Sequence, residues 1–349
     1  MSKNHSNVNA SSTMAGFQFQ VNVAIYFMLR YLKDIESIRV EGEKEDVEVN
    51  LKNKNKYMIQ AKAQTVNLED NSNNAKNLRK ALKSLANADG KNVQYLFYAS
   101  NMSDPLNSSD EVFKKYDIVT KPYNELSEKS RKKIDTQIAN IDGGDLEKKK
   151  LVIIRIPFFG EFDDEKYKFI YQTAKEVFSI MSDSLANKSR TIINKIESKF
   201  NNNGTDKKES VITKEEFCNW IILMEIEGMD LYNDNLNIGI EDTEYYDAYE
   251  QYKRFIDERM SSYENYGKVY SLFLRIRKNR NITINEFVKE KKLELYNYFF
   301  EESLETEEQI KENNKIDIYV AQIISYAILK RNNIIKKIKE GAGLCWLNF

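Results

Sequence analysis

A strand-like alternation that turns polar on one side constrains this chain more than any other feature. From Ser37 to Gln64 it reads SIRVEGEKEDVEVNLKNKNKYMIQAKAQ. Apolar and polar residues alternate in two runs, Asp46–Lys52 and Lys56–Gln64, the period of half-buried strands. The polar triplet Asn53-Lys54-Asn55 supplies a turn between them. With Lys52 opposite Lys56, the antiparallel register sets Asp46 against Lys62 and Glu48 against Gln60. Val47, Val49 and Leu51 then share a face with Tyr57, Ile59, Ala61 and Ala63, while Asp46, Glu48, Asn50, Met58, Gln60 and Lys62 share the other. A one-residue slip would mix the two sets. The hairpin is therefore predicted to have a core face and a face that gathers carboxylates, a carboxamide and an ammonium.

The elements around it fill out an α/β pattern. Ser12 or Thr13 can cap a helix over Ala15–Lys33, with Phe17, Val21, Ala24, Ile25, Met28, Leu29 and Leu32 as its buried stripe. A first strand is expected near Ser37–Glu41. After an acidic, Asn-rich loop at Asn67–Asn74 comes a helix over Asn74–Ala88, ended by Asp89-Gly90. The apolar runs Val93–Ala99 and Leu151–Ile156 read as central strands, separated by a charged helix near Tyr123–Asn140 that Asp142-Gly143-Gly144 stops. The sum is a mixed sheet flanked by helices over roughly the first 160 residues, preceded by a flexible arm at 1–13.

Beyond Gly160 helical periodicity takes over: Glu165–Ser184, Lys188–Asn201, a segment capped by Thr213 with Glu216, Asp242–Ser261, Tyr263–Lys278, Thr283–Glu302 and Ile316–Lys339. Residues 161–349 are expected to form an all-α domain. Three prolines and twelve glycines in 349 residues fit so helical a body. Lys and Arg (53) nearly balance Asp and Glu (54), so any nucleic-acid surface must be local. Two distant cysteines and a single histidine suggest neither a disulfide framework nor a zinc site. The start is polar rather than signal-like, and no apolar run is long enough to span a bilayer. The expected location is cytoplasmic, with no membrane partner.

Asp46-Val47 on one strand, Ile59-Gln60-Ala61-Lys62 on the next, then a helix and another buried strand, resemble the PD-(D/E)xK, restriction-endonuclease-like nucleases. The variant is the one in which Gln replaces the second acid, as in Mrr-type restriction enzymes. The leading Gly16-Phe17-x-x-Gln20 and the Glu41-Gly42…Glu45-Asp46-Val47 phrasing narrow the resemblance to effector nucleases of bacterial anti-phage systems such as CBASS and Lamassu. It covers about the first 160 residues. The resemblance implies a metal-dependent DNA endonuclease in which Asp46, the Gln60 carboxamide and the Ala61 carbonyl hold Mg²⁺ or Mn²⁺. Lys62 would orient the attacking water or offset charge on the phosphate. Glu41 and Glu48 are candidates for a further ligand, and Gln20 for a hydrogen bond to Asp46 or Lys62. The implied partners are double-stranded DNA, an SMC-like ATPase, a small accessory subunit and a second copy of the chain. RNA remains open as a substrate.

Each of these readings has a plainer counterpart. The polar hairpin face reads equally as a solvated face with cross-strand ion pairs, and Gln20 as a polar residue packing near its helix. Lys76, Arg79, Lys80 and Lys83 form one positive stripe on the helix after the hairpin, a phosphate-contacting surface or a solubilising one. Arg275, Arg277, Lys278 and Arg280 form a second cluster. The tyrosines at 245, 249, 252, 263, 266 and 270 could stack bases but fit a packed seam between helices better. Cys218 reads as core. The apolar tail 344–349 should dock on its own domain or on a partner. The rival to a nuclease is a non-catalytic, degenerate nuclease fold that binds DNA ends or scaffolds a complex.

Overall fold

The computed structural model describes residues 5–64, 73–141, 146–160, 162–205, 211–227, 229, 240, 242–259, 264–300 and 315–344. The acidic loop 67–72, the Asp142-Gly143-Gly144 stop, residues 206–210, Tyr263 and the tail 345–349 lie outside them. The chain divides into two compact units, Met1–Lys214 and Glu215–Phe349.

The first unit is built on a seven-stranded mixed sheet in the order β5-β6-β4-β3-β2-β1-β7. Its strands are β1 (Ile35–Val40), β2 (Val47–Leu51), β3 (Lys56–Lys62), β4 (Val93–Ser100), β5 (Val119–Pro122), β6 (Leu151–Arg155) and β7 (Val211–Thr213). β1, β2 and β3 form an antiparallel meander, β4 and β6 continue it in parallel, and β5 and β7 close the two edges antiparallel. Parallel neighbours need a crossover. Helix α2 (Asn74–Ala88) provides it between β3 and β4.

Both sheet faces are covered. Leu78, Ala81, Leu82 and Leu85 of α2 join Ile134 of α3 (Glu128–Ala139) over Met58, Leu96, Tyr98, Leu151 and Ile153. On the opposite face, α1 (His5–Arg30) sets the Phe27 ring 4.8 Å from Phe97 and 6.5 Å from Tyr57. After the short α4 (Asp163–Lys166), helices α5 (Lys168–Ser179) and α7 (Ser189–Thr205), linked by α6 (Asp183–Asn187), pack on α1. That double cover explains why Phe19, Val21, Val23, Ala24, Ile25, Phe27 and Met28 are all buried, more than one stripe of a surface helix.

The hairpin departs from the expected register by two residues. Asn50 pairs with Lys56, Glu48 with Met58 and Val47 with Ile59. The loop is Lys52-Asn53-Lys54, closed where Leu51 N–H donates to Asn55 O at 2.9 Å. Lys54 takes the left-handed conformation at φ 67°, the three-residue solution whose twist suits the flanking strands. Asn53 Oδ1 accepts from Asn55 N at 3.0 Å and braces the turn. Two residues preserve parity, so the two faces sort as expected, and the continued ladder brings Asp46 opposite Gln60 instead of Lys62.

Three further expectations change. Residues 5–13, assigned to a flexible arm, are helical and continuous with α1; residues 1–4 lie outside the described set. Strands β5 and β7 have no counterpart in the expected pattern. Because β7 and helices α4–α7 belong with the sheet, the division into units falls at 214/215 rather than at 160.

The secondary structure described in the second unit is all helical: α8 (Lys214–Glu227), α9 (Asp242–Arg259), α10 (Glu264–Asn279), α11 (Ile284–Glu290), α12 (Lys292–Phe299) and α13 (Lys315–Gly341). A Thr283–Glu286 capping box starts α11, and Lys291 breaks the expected Thr283–Glu302 helix in two. α13 packs against α9, α10, α11 and α12, which accounts for its burial on several sides. Tyr245, Tyr249 and Tyr252 stack at 5.9 and 5.7 Å, with Tyr252 buried and its hydroxyl donating to Ile226 O at 2.8 Å. These ring contacts run along α9 itself rather than between two helices. Cys218 is core. Among the described residues no helix is long and apolar enough to cross a membrane.

Candidate active site

The site starts from strand alternation. Met58, Gln60 and Lys62 point to the α2 side of β3, and Met58 is sealed under Leu82 and Leu85, so only the last part of that face stays polar. Asp46 precedes the first residue of β2 and meets it. Asp46 Oδ2 accepts from the Gln60 side-chain amide, from Ala61 N–H at 2.8 Å and from Lys62 Nζ at 3.4 Å. The Asp46 and Lys62 side chains are 20% and 28% exposed, so the pair is open to solvent on one side. Asp46 Oδ1 carries no hydrogen bond among the described residues. A strand residue turns its N–H and C=O to the same neighbour, so the Ala61 carbonyl faces the Asp46 side, past the end of the β2 ladder.

The turn before β2 adds a residue that sequence reasoning missed. Glu45 is 4% exposed, and neither carboxylate oxygen has a hydrogen-bond partner. Burial, reinforced by Asp46 and Glu48, pushes its pKa up to about 7, against the smaller opposing pull of Ser84 and Lys62. The Ser84 hydroxyl, on α2, is the largest influence that favours the charged form. In the sequence Glu45 is one acid in the run Glu41–Glu48, and nothing there separates a buried carboxylate from a solvated turn. Glu48, a candidate ligand, instead braces that turn: its Oε1 accepts from Lys44 N at 2.7 Å and Glu45 N at 3.4 Å.

Two expected members do not join. Glu41 donates its backbone N–H to Asp46 O at 2.8 Å, but its side chain is exposed and its φ of 53° turns the chain away from the strand. Gln20 makes no hydrogen bond to Asp46 or Lys62; α1 lies against the opposite sheet face, and Gln20 Oε1 is buried without a partner. One neighbour in the sheet was not anticipated. Tyr98, paired with Gln60 in the parallel ladder, is fully buried with a hydroxyl lacking a partner, and burial raises its pKa.

Lys76, Arg79, Lys80 and Lys83 are all exposed on α2. Arg79 Nη2 donates to Asn140 O at 3.0 Å, and none of the four is ion-paired among the described residues. Ser84, the next residue along α2, is half-buried and acts on the Glu45 carboxylate. The second cluster behaves differently. Arg275 pairs with Glu294 at 3.5 Å, Arg280 with Glu290, and Arg277 lies over the Phe273 ring.

Asp46 Oδ1, the Gln60 carboxamide, the Ala61 carbonyl and the partnerless Glu45 carboxylate are hard oxygen donors, a set that suits Mg²⁺ or Mn²⁺. Among the described residues no three His, Cys, Asp or Glu side chains gather as a cation cage. Any such centre depends on the amide and the carbonyl. Comparison of the chain with protein-family models, with curated proteins and with solved structures found no match.

Proposed function

We propose that the protein is a metal-dependent endodeoxyribonuclease of the PD-(D/E)xK kind, an effector of an anti-phage defence complex held in check by partner chains or by self-association. The observation that carries this reading is the convergence of Gln60, Ala61 and Lys62 on a single Asp46 oxygen at the open end of a buried strand pair. The element order supports it as well: the strand after Asp46, a turn, the strand ending Gln60-Ala61-Lys62, then α2 and β4 are the succession that carries the resemblance.

Asp46, Gln60 and Ala61 would hold the cation. When bound, Mg²⁺ or Mn²⁺ would supply Lewis acidity toward the scissile phosphate and the attacking water. Lys62 has two uses. Paired with Asp46 it holds that carboxylate in place; released toward a phosphate it offsets charge that develops on the non-bridging oxygens. Lys76, Lys80 and Lys83 would follow the duplex backbone without reading sequence. The helical unit is assigned to assembly and regulation, with an SMC-like ATPase and accessory subunit as the partner class.

One observation favours the rival, non-catalytic reading. Three donors already occupy Asp46 Oδ2, as in a purely structural ion pair. Nicking of supercoiled plasmid in Mg²⁺ or Mn²⁺, against an EDTA control, separates the two. Wild type should cut, and Lys62→Ala and Asp46→Ala should each lose about 10²–10³-fold. If Lys62→Ala cuts as fast as wild type, the site is misassigned. Wild type that binds plasmid yet never cuts, alone or with its partner chains, leaves the non-catalytic reading standing.

A further inference from the structure

Glu45 poses a charge problem that the nuclease reading leaves open. A carboxylate buried without donors is among the least favourable arrangements in a folded protein. Both Glu45 oxygens are in that state. The available cation, Lys62, is already engaged with Asp46 at 3.4 Å.

The turn nevertheless holds Glu45 inward. Glu48 Oε1 grips the backbone on either side, through Lys44 N and Glu45 N. Gly42 makes room for that brace: a Cβ there would come within 2.5 Å of Glu48 Cγ. The arrangement keeps an acid buried with neither oxygen in a hydrogen bond, although the Ser84 hydroxyl and Lys62 act on it.

Formal charge points the same way. With Gln60 neutral, the expected ligand set of Asp46, Gln60 and the Ala61 carbonyl carries a single negative charge, and Lys62 cancels it. A divalent cation gains little from such a set. Glu45 restores the second negative charge that Gln60 does not provide.

We infer that Glu45 is the second carboxylate of the cation site, joining Asp46 to bind a hard divalent ion of the Mg²⁺ or Mn²⁺ class. The inference rests on the proposed site for its location, but not on DNA cleavage. It also gives the 42–48 turn a role, since that turn sets how far the carboxylate reaches.

The test uses the full chain stripped of metal, with Mn²⁺ as the probe, read by calorimetric titration and by thermal unfolding. Wild type should bind and gain stability with Mn²⁺, and Asp46→Ala should lose most of both. Glu45→Gln keeps shape but removes charge. It should raise the Tm of the metal-free protein and weaken Mn²⁺ binding by about tenfold or more, while Glu45→Asp recovers part of the affinity. If Glu45→Gln binds Mn²⁺ like wild type while Asp46→Ala does not, this inference fails and the nuclease site survives. If wild type binds no Mn²⁺ at millimolar concentrations, both fall.

Discussion

The two faces of β3 are almost equally buried and carry different loads. Toward α1, Tyr57 and Ile59 lie against Phe27 and Phe97 in a dry, largely aromatic layer. Toward α2, Met58 enters an equally dry core, yet two residues later the same face carries Gln60 and Lys62, with the partnerless Glu45 close by. Depth of burial does not separate core from site in this strand. The kind of side chain does: apolar toward α1, and an amide and an ammonium toward the open end of the α2 face.

The widest contrast is between Phe97→Ala and Lys62→Ala. Removing the Phe97 ring should cost about 3–5 kcal/mol of unfolding free energy in urea while leaving activity per folded molecule intact. Lys62→Ala should change stability by less than about 1 kcal/mol, since the pair it breaks is partly exposed, and it should abolish most cleavage. If both variants lost stability alike, the two faces would have to be treated as one core.

A pH series on metal-free protein sharpens the contrast at Glu45. Its pKa is raised on folding from 4.5 to about 7, mainly by burial. The folded chain therefore holds a proton that the unfolded chain has already released. Stability should be greatest below the unfolded value and fall as pH rises toward 7, by about 3 kcal/mol at most, then level off. Taking the difference between wild type and Glu45→Gln isolates this group from carboxylates with depressed pKa, such as Asp110. A flat difference across that window would mean that the Glu45 carboxylate is already compensated.

The smallest effect concerns the α2 surface above the polar face. Replacing Lys80 and Lys83 with Gln should leave folding unchanged and weaken plasmid binding without sequence preference. The slope of log affinity against log salt should flatten by about 0.9 for each phosphate that is no longer neutralised. An unaltered slope would reduce the stripe to a solubilising surface.

Much of this was legible in the chain itself. Periodicity located α2, β4 and β6, whose single apolar face or short apolar run has one structural reading, and strand parity sorted the hairpin faces correctly. Parity put Asp46, Gln60 and Lys62 on one face, which a two-residue error in register leaves intact, but it set Gln60 against Glu48, where Met58 lies instead and Gln60 meets Asp46. Edge strands β5 and β7 were not legible, being only four and three residues long and mostly exposed or half-buried. The start of α1 was missed because its first residues are polar, and the break at Lys291 because the apolar pattern runs on across it. Gln20 was placed by its position in a motif, and α1 took it to the other side of the sheet.

What the sequence alone determined is the alternation: which side chains share a face, and therefore that an acid, an amide and an ammonium gather at the end of one strand pair. Period and chirality are local properties, and neighbouring residues are enough to set them. Tertiary structure decided which polar atoms are left without partners. Glu45 is buried because α2 closes over the hairpin and the 42–48 turn holds it inward, an arrangement of segments roughly forty residues apart that no local pattern encodes.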